Sequence, residues 1–575
     1  MRKILFTLPL LLLVMLFSRC NINEDLKTLQ SAIDSLQIVI GTPEFNTLVK
    51  VEFIDATTNR YVSGKTINAR VLGKNANDVY SNLGTKETSY TTSHGLLMLV
   101  IDPKAVDSVA IKTAPIEFDL AVTADGYLST TQRVMLYEAK LNTVTIKLTN
   151  LTNAPQGVSV SVNNSFAVAG VTGQTVAPAI QTMNLGKQTV TVPAGVVLKD
   201  ASGNPVTGTV KSEIVYYDPV SESAQNAFPG GTNVSATLPD GSEGQIEFIS
   251  AGMFSVNLTA GGKEVKTFEN GGIKLRTVVP PTLINPNTGL PIKVGDRIEM
   301  WSKEIESGEW VYEKMATVKL ENGELVLEET VTHLSFWNWD FFYNSCTLGT
   351  KFIFKGNLTG HYPYVKVTSR IANTTFDKIG YTHIGDGFLQ LYNTPSNVAA
   401  TFKFEDAGWD ASRTLTFSPA TLNVANLCSG QIIEITVTEN IPSPPEQITV
   451  KLDLAATSAT NAQFIIRPNA YVYFKTSTAR NWSYFYLWNG KATVDFELGE
   501  TYEILGYFGN NYGMGTLKID KLGTSQLRVT MTPTINFSTG NQSATISFDV
   551  NRPENNIVDI KYNAVLPDNL MNQLR

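Results

Sequence analysis

The chain has 575 residues, a net charge of −7 and 17% charged residues, below the roughly 25% usual in soluble chains. That length exceeds a single core and implies about three to five domains. No Lys/Arg block follows the first three residues, which excludes nucleic acid as a partner, because phosphate binding needs a basic patch.

The N-terminus reads MRKILFTLPLLLLVMLFSRC. Arg2 and Lys3 form a positive n-region, and Ile4 to Phe17 is an apolar run. It is too short to span a bilayer, which takes about 20 residues, and suits a signal h-region. The run ends at Cys20 and resembles a bacterial lipoprotein signal. That resemblance implies residues 1–19 as signal peptide and Cys20 as the lipidation site. It also implies export to the outer membrane or cell surface, with the membrane reached through the lipid. Arg19 departs from the small residue usual before that Cys. The following NINED, with Glu24 and Asp25, resembles the acidic stretch after the lipid Cys in surface lipoproteins of Bacteroidetes.

Residues 20–45 form a spacer. Within it Ile22, Leu26, Leu29, Ile33, Leu36 and Ile40 recur in alternating steps of four and three. The pattern predicts a short amphipathic helix over 22–40. Two readings stand: a parallel homodimeric coiled coil, with Ile-rich and Leu-rich core positions, or a single helix lying on the first domain.

From residue 46 the apolar pattern changes to period two. Val49, Val51 and Phe53 alternate with Leu48, Lys50 and Glu52, and GLLMLVID, IEFDLAVTADGY and NTVTIKL continue the theme. Half-buried antiparallel strands explain it. The piece IEFDLAVTADGYLSTTQRVML resembles the last strands of the transthyretin-like regulatory domains appended to carboxypeptidases. The resemblance implies a β-sandwich over 46–152, with Gly126-Tyr127 turning the chain, and carries no catalytic residues.

Residues 158–345 hold TVTVPAGVVLKDASGNPVTGTV, FPGG, SAGMFSVNLTAGGKEV, IEMWSKEIESGEWVYE and VTHLSFWNWD, in that order. The series is similar to the paired β-domains of cartilage intermediate layer protein and of the ankyrin and netrin-receptor group. Trp301, Gly308 and Trp310 match their hairpin; Thr332, His333 and Ser335 match their ending, with Leu334 in place of Phe. Residues 346–440 and 447–575 read as two further β-sandwiches, separated by IPSPPE, a stretch poor in backbone donors. Cys346 and Cys428 fall inside the first of these. An exported protein meets an oxidising compartment, so either a disulfide joins them or both are separate thiols.

Enzyme signatures are scarce: no HExxH, GxSxG, GxxxxGK[ST] or full calcium loop occurs. The four histidines are scattered without metal-ligand spacing, so neither a metal nor a cofactor is expected. Two constellations merit attention. Some relatives of the ankyrin-type domain, and adhesion receptors, break their own backbone at His-Leu-Ser-like sites. That resemblance implies His333 as general base, Ser335 as nucleophile and the carbonyl of Leu334 as target, by an N-to-O acyl shift. The alternative is a strand end with His333 hydrogen-bonded and Phe336 and Trp337 in the core. The second constellation is NWSYFYLWNG (481–490). As a strand it places Trp482, Tyr484, Tyr486 and Trp488 on one face and Ser483, Phe485 and Leu487 on the other. The Trp/Tyr face is either a flat platform for sugar rings or a packed face against the core or a neighbouring domain.

The sequence therefore predicts an all-β chain of tandem β-sandwiches behind a signal peptide and a short helix. It predicts a lipid-anchored surface protein for binding or scaffolding: adhesion, matrix attachment or carbohydrate binding. Its expected partners are a glycan or another surface protein, and it has no metabolic active site. The second reading is a surface protein autocleaved between Leu334 and Ser335.

Overall fold

The computed structural model describes residues 38–568 and Met571, apart from 42–44, 83, 172–173, 178–179, 304–307, 357–363, 373, 376–379, 385–386, 409–412, 441–445, 478, 480–481, 509–510, 523–525, 537–544 and 555–556. Cys20 and residues 22–37 lie outside them. The protein is all-β and built of tandem β-sandwiches. Among the described residues no helix is long and apolar enough to cross a membrane. The chain divides into two compact units, residues 45–444 with 475–483, and residues 445–474 and 484–575 with the segment up to 44.

In the larger unit, Leu48–Asp55 pairs with Leu141–Leu148 and Leu96–Ile101, while Ile67–Leu72 pairs with Ser89–Thr92 and Ile116–Ala124. The period-two pattern marks the core face, but Leu48–Asp55 is not the half-buried antiparallel strand expected: Lys50 and Glu52 on its other face are buried too, joined by an ion pair at 2.8 Å, and Leu141–Leu148 pairs with it in parallel. Val49, Val51 and Phe53 point inward against Ile67, Ala69, Phe118, Leu120 and Val122, all buried. Each of these Val, Leu, Ile and Phe side chains contributes about 1.5–3 kcal/mol through burial.

The chain then builds a long sheet with two unusually extended strands, Glu243–Ala260 and Phe336–Lys355, paired antiparallel. A five-stranded sheet containing Gln188–Val192, Ile273–Val278 and Glu324–Val331 supplies further residues to the same core. The boundary expected at 345/346 falls inside the strand Phe336–Lys355. The blocks 158–345 and 346–440 therefore share a strand, because its C-terminal half pairs onward with Phe388–Pro395 and Ile432–Asn440. Phe352, Phe402 and Phe404 form the aromatic centre of that last block, with ring centroids 5.0 and 5.3 Å from Phe352.

The W…GxW hairpin packs against the first sandwich. Gly308 has φ +68°, and a Cβ there would lie 2.9 Å from Thr131 Cγ2 and 3.0 Å from Asp119 Cγ; only glycine permits that approach. Beside it the Lys303 ammonium is buried and donates to the Thr131 carbonyl at 2.7 Å. Burial pulls its pKa down to about 8, with the Asp119 carboxylate opposing the shift.

The smaller unit is a two-sheet sandwich. One sheet holds Phe464–Arg467, Gln447–Ser458, Ile557–Leu566 and Thr545–Glu554, with Lys491–Glu497 also on Gln447–Ser458. The other holds Ser483–Leu487, Ala470–Thr476, Thr501–Phe508, Asn511–Leu522 and Gln526–Met531. Val450, Phe474, Phe496, Tyr502, Ile519 and Ile560 meet between them. The predicted helix ends differently from expectation: Ile38–Gly41 is a strand, in parallel register with Phe464–Arg467. Ile40, assigned to the heptad seam, instead faces Ile466 across a ladder. An unpaired sheet edge and a β-branched IVI run explain the capture.

Candidate functional site

The segment VTHLSFWNWD enters the strand Phe336–Lys355. His333 forms a bridge with Thr267, and the Leu334 amide donates to the Lys266 carbonyl at 2.8 Å. The His333 Nε2–H donates to Glu313 Oε1 at 3.1 Å, and the Ser302 hydroxyl donates to the same oxygen at 2.6 Å. The hydrogen bond from His333 holds the Glu313 carboxyl below its ordinary range, against the effect of burial. The His333 ring lies over Trp337, centroids 4.9 Å apart. Ser335 Oγ is buried with no hydrogen-bond partner, so no hydrogen bond links it to the His333 ring. None of His333, Leu334 and Ser335 takes a positive φ. Leu334 is buried in the main core.

Beyond Ser335 the strand is buried on both faces. Trp337, Trp339 and Phe341 enter one core, while Phe336 enters another beside Trp301, Trp310 and Phe248. Some polar groups in the stretch are matched internally: Trp339 Nε1 donates to Thr277 Oγ1 and Ser250 Oγ to Asn338 Oδ1, each at 2.8 Å. Trp337 Nε1 and Asn338 Nδ2 are buried without a partner, and so is the one ionisable group, Asp340. It is fully buried, and neither carboxyl oxygen has a partner. Burial, with the Glu299 and Glu247 charges adding to it, pushes its carboxyl well above the ordinary range.

Cys346 and Cys428 are joined by a disulfide, their Cα atoms 6.0 Å apart. Cys346 lies on the strand Phe336–Lys355 and Cys428 in the short 3₁₀ turn Leu427–Ser429.

In the smaller unit the aromatic strand has the predicted parity. Phe485 packs on the core and Leu487 is buried. Tyr484 and Tyr486 lie on the opposite face and meet Tyr471 of the neighbouring strand at 5.4 and 4.9 Å. The face is not one open platform. Trp482 is 3% exposed and Tyr473 1%, so Trp482 is corrected from exposed ligand contact to buried side chain. Trp488 alone of the four is open, at 58%, with its ring 6.4 Å from Tyr486.

Trp488 sits at a two-residue turn. It bridges Lys491, while Asn489 and Gly490 both take positive φ, 47° and 76°, the geometry of a twisted hairpin. Gly490 donates to the Pro468 carbonyl and accepts from the Leu454 amide. A Cβ on Gly490 would collide with the Leu454 carbonyl and lie 3.5 Å from Arg467 Cβ. The turn thus abuts a feature that sequence reasoning missed: a shallow cleft of about 180 Å³ whose lining includes Asp453, Arg467, Ser547, Asp549, Lys561 and Asn563. Asp453 stands opposite both Lys491 and Lys561, and Lys561 opposite Asp549. The only signal for it was the polar half of each alternating strand, in KLDLAA, ISFDV and DIKYNA, which any solvated sheet face would show. Among the described residues no group of three His, Cys, Asp or Glu is placed to hold a metal ion.

No family model matches the sequence, and no curated protein matches it. Among solved structures the chain is similar to a streptococcal ancillary pilin, at 12% identity and TM-score 0.13, over 48% of this chain and 95% of that one. It is also similar to BcpA, the major pilin subunit of Bacillus cereus, at 8% identity and TM-score 0.13, over 90% and 99% of the two chains. The pilus adhesin SpaC from Lactobacillus rhamnosus GG aligns at 9% identity and TM-score 0.13, over 72% and 55%. At such scores the likeness is one of strand content alone.

Proposed function

We propose that the chain is a lipid-anchored cell-surface protein for binding and scaffolding, which captures glycan through the aromatic edge of its C-terminal unit. The observation that carries this reading is Trp488, open to solvent at the end of a Tyr471–Tyr484–Tyr486 row. The other tryptophans whose exposure is described, Trp301, Trp310, Trp337, Trp339 and Trp482, are buried. The two-residue turn holds the Trp488 ring where a ligand can reach it. A flat ring with a polar edge suits the apolar face of a sugar. Anchoring through Cys20 rests on the signal-like N-terminus, and the stacked sandwiches act as a scaffold.

The test is retention of the full mature chain in gels containing soluble polysaccharide. Wild type should be retarded, and Trp488→Ala, with unchanged circular dichroism, should migrate freely. Equal retardation of the two proteins would overturn the aromatic-edge reading. For the anchor, Cys20→Ser should move the protein from the membrane to the soluble fraction; unchanged fractionation would remove the lipid.

A further inference from the structure

We infer that the cleft beside Trp488 is the polar half of the same site and takes one ring of a neutral hexose polymer. The inference rests on the glycan reading of Trp488 and adds the residues that select the ligand. Register places Trp488, Lys491, Asp453, Lys561 and Asp549 opposite one another on successive strands. Such partners stand about 5 Å apart and present side chains to one face. The row therefore begins at an exposed ring and runs into the cleft. Its volume of about 180 Å³ is below the roughly 300–1,000 Å³ of sites for drug-sized molecules. It admits a single small ring, with the rest of a polymer left outside.

The lining sets the chemistry. Two carboxylates, Asp453 and Asp549, meet two cations, Arg467 and Lys561, so the cleft has no net charge to attract an ionic ligand. Asp453 is paired with Arg467. Asp549 and Lys561 form no hydrogen bond or ion pair with any described residue, so their hydrogen-bonding capacity is open. Ser547 and Asn563 add a hydroxyl and an amide; they stand opposite each other in the ladder, with small Ala455 on the far side of Asn563. Carboxylates that accept, an ammonium that donates, and a hydroxyl and amide that do both match a ring of vicinal hydroxyls. The neighbouring Trp488 face matches that ring's C–H side.

The experiment uses the full mature chain with four neutral probes, soluble β-glucan, α-glucan, mannan and xylan, and one anionic probe, polygalacturonate. Affinity is read by gel retardation. The variants are Trp488→Ala, Asp549→Ala and Lys561→Met, all at exposed positions. At least one of the three hexose polymers should be bound, and retention of xylan alone overturns the hexose assignment. Each cleft variant should bind it about tenfold more weakly, the loss of a hydrogen bond to a charged group. If Trp488→Ala loses binding while both cleft variants keep it, the cleft is overturned and the aromatic-edge reading stands. If polygalacturonate alone is retained, the neutral-ligand assignment is overturned. If wild type retains none of the five, both the cleft and the glycan reading fall.

Discussion

Replacing Cys346 and Cys428 together by Ser tests the clasp in the block that follows residue 345. The bond closes a chain separation of 82 residues. In the chain-entropy account, a closed loop of that length removes about 15 cal/mol/K from the unfolded chain, or ~4.5 kcal/mol at 25 °C. The folded side should change little, because other contacts already hold the two ends. Thr350 Oγ1 donates to the Leu427 carbonyl at 3.2 Å, and Cys346 stands opposite Thr394 in the ladder. The loss should therefore fall on the unfolded state. Several sandwiches share this chain, so one global unfolding curve would mix their transitions. Native-state hydrogen exchange is the better assay, read at the amides of Phe352, Phe402 and Phe404. Their opening free energy should drop by about 3–5 kcal/mol in the double Ser variant, with amides near Val49 and Phe118 unchanged. A drop below about 1 kcal/mol would refute the loop-closure reasoning and leave the bond a decoration on an already closed structure.

Three further outcomes are expected. Burial raises the folded pKa of Asp340, so its contribution to stability is present below the unfolded pKa and is lost as pH rises above it. Asp340→Asn should then raise the melting temperature at pH 7–8 more than at pH 4, and parallel profiles would refute an unpartnered acid at that position. Lys303 has the opposite sign. Its folded pKa is lowered from 10.5 to about 8, so wild type should gain stability between pH 8 and 10.5, and Lys303→Met should lack that gain in the same melting series. Finally, denatured and reduced mature protein should give one full-length mass, because His333 is turned to Glu313 and Ser335 Oγ has no partner. Two masses that merge into one in Ser335→Ala would establish cleavage at Leu334–Ser335.

Alternation made the strands legible where polar residues interleave with apolar ones, even though Lys50 and Glu52 turn out to be buried. Val49, Val51 and Phe53 lie in the first core as their spacing requires, and Phe485 and Leu487 turn inward as parity requires. Alternation fails where large apolar side chains enter cores on both faces. In FWNWDF each side chain has a core to enter, so the pattern could not say that the strand runs on past residue 345 into the next block. Parity also assigns faces without saying what covers them, which is why Trp482 and Trp488 read alike and differ from 3% to 58% in exposure. The cleft was illegible for another reason. Asp453, Arg467, Asp549 and Lys561 come from four strands spread over a hundred residues, and only the register of the folded sheet brings them side by side.

The strand at Ile38–Gly41 changes what the proposed anchor would hold. Read as a helix, residues 22–40 space the lipid from the first sandwich, with the later domains displayed farther out. Paired with Phe464–Arg467, the segment belongs to the C-terminal unit. The link from Cys20 to that unit is then only the chain between residues 20 and 38, which spans about 27 Å as a helix and about 60 Å fully extended. With lipid on Cys20, the unit that carries Trp488 is held within that reach of the membrane, however the rest of the chain is arranged. A binding surface so placed suits a ligand retained close to the cell. It also joins the segment Ile38–Gly41 to the C-terminal unit, so pulling on a lipid at Cys20 would load that ladder before it loads the first sandwich.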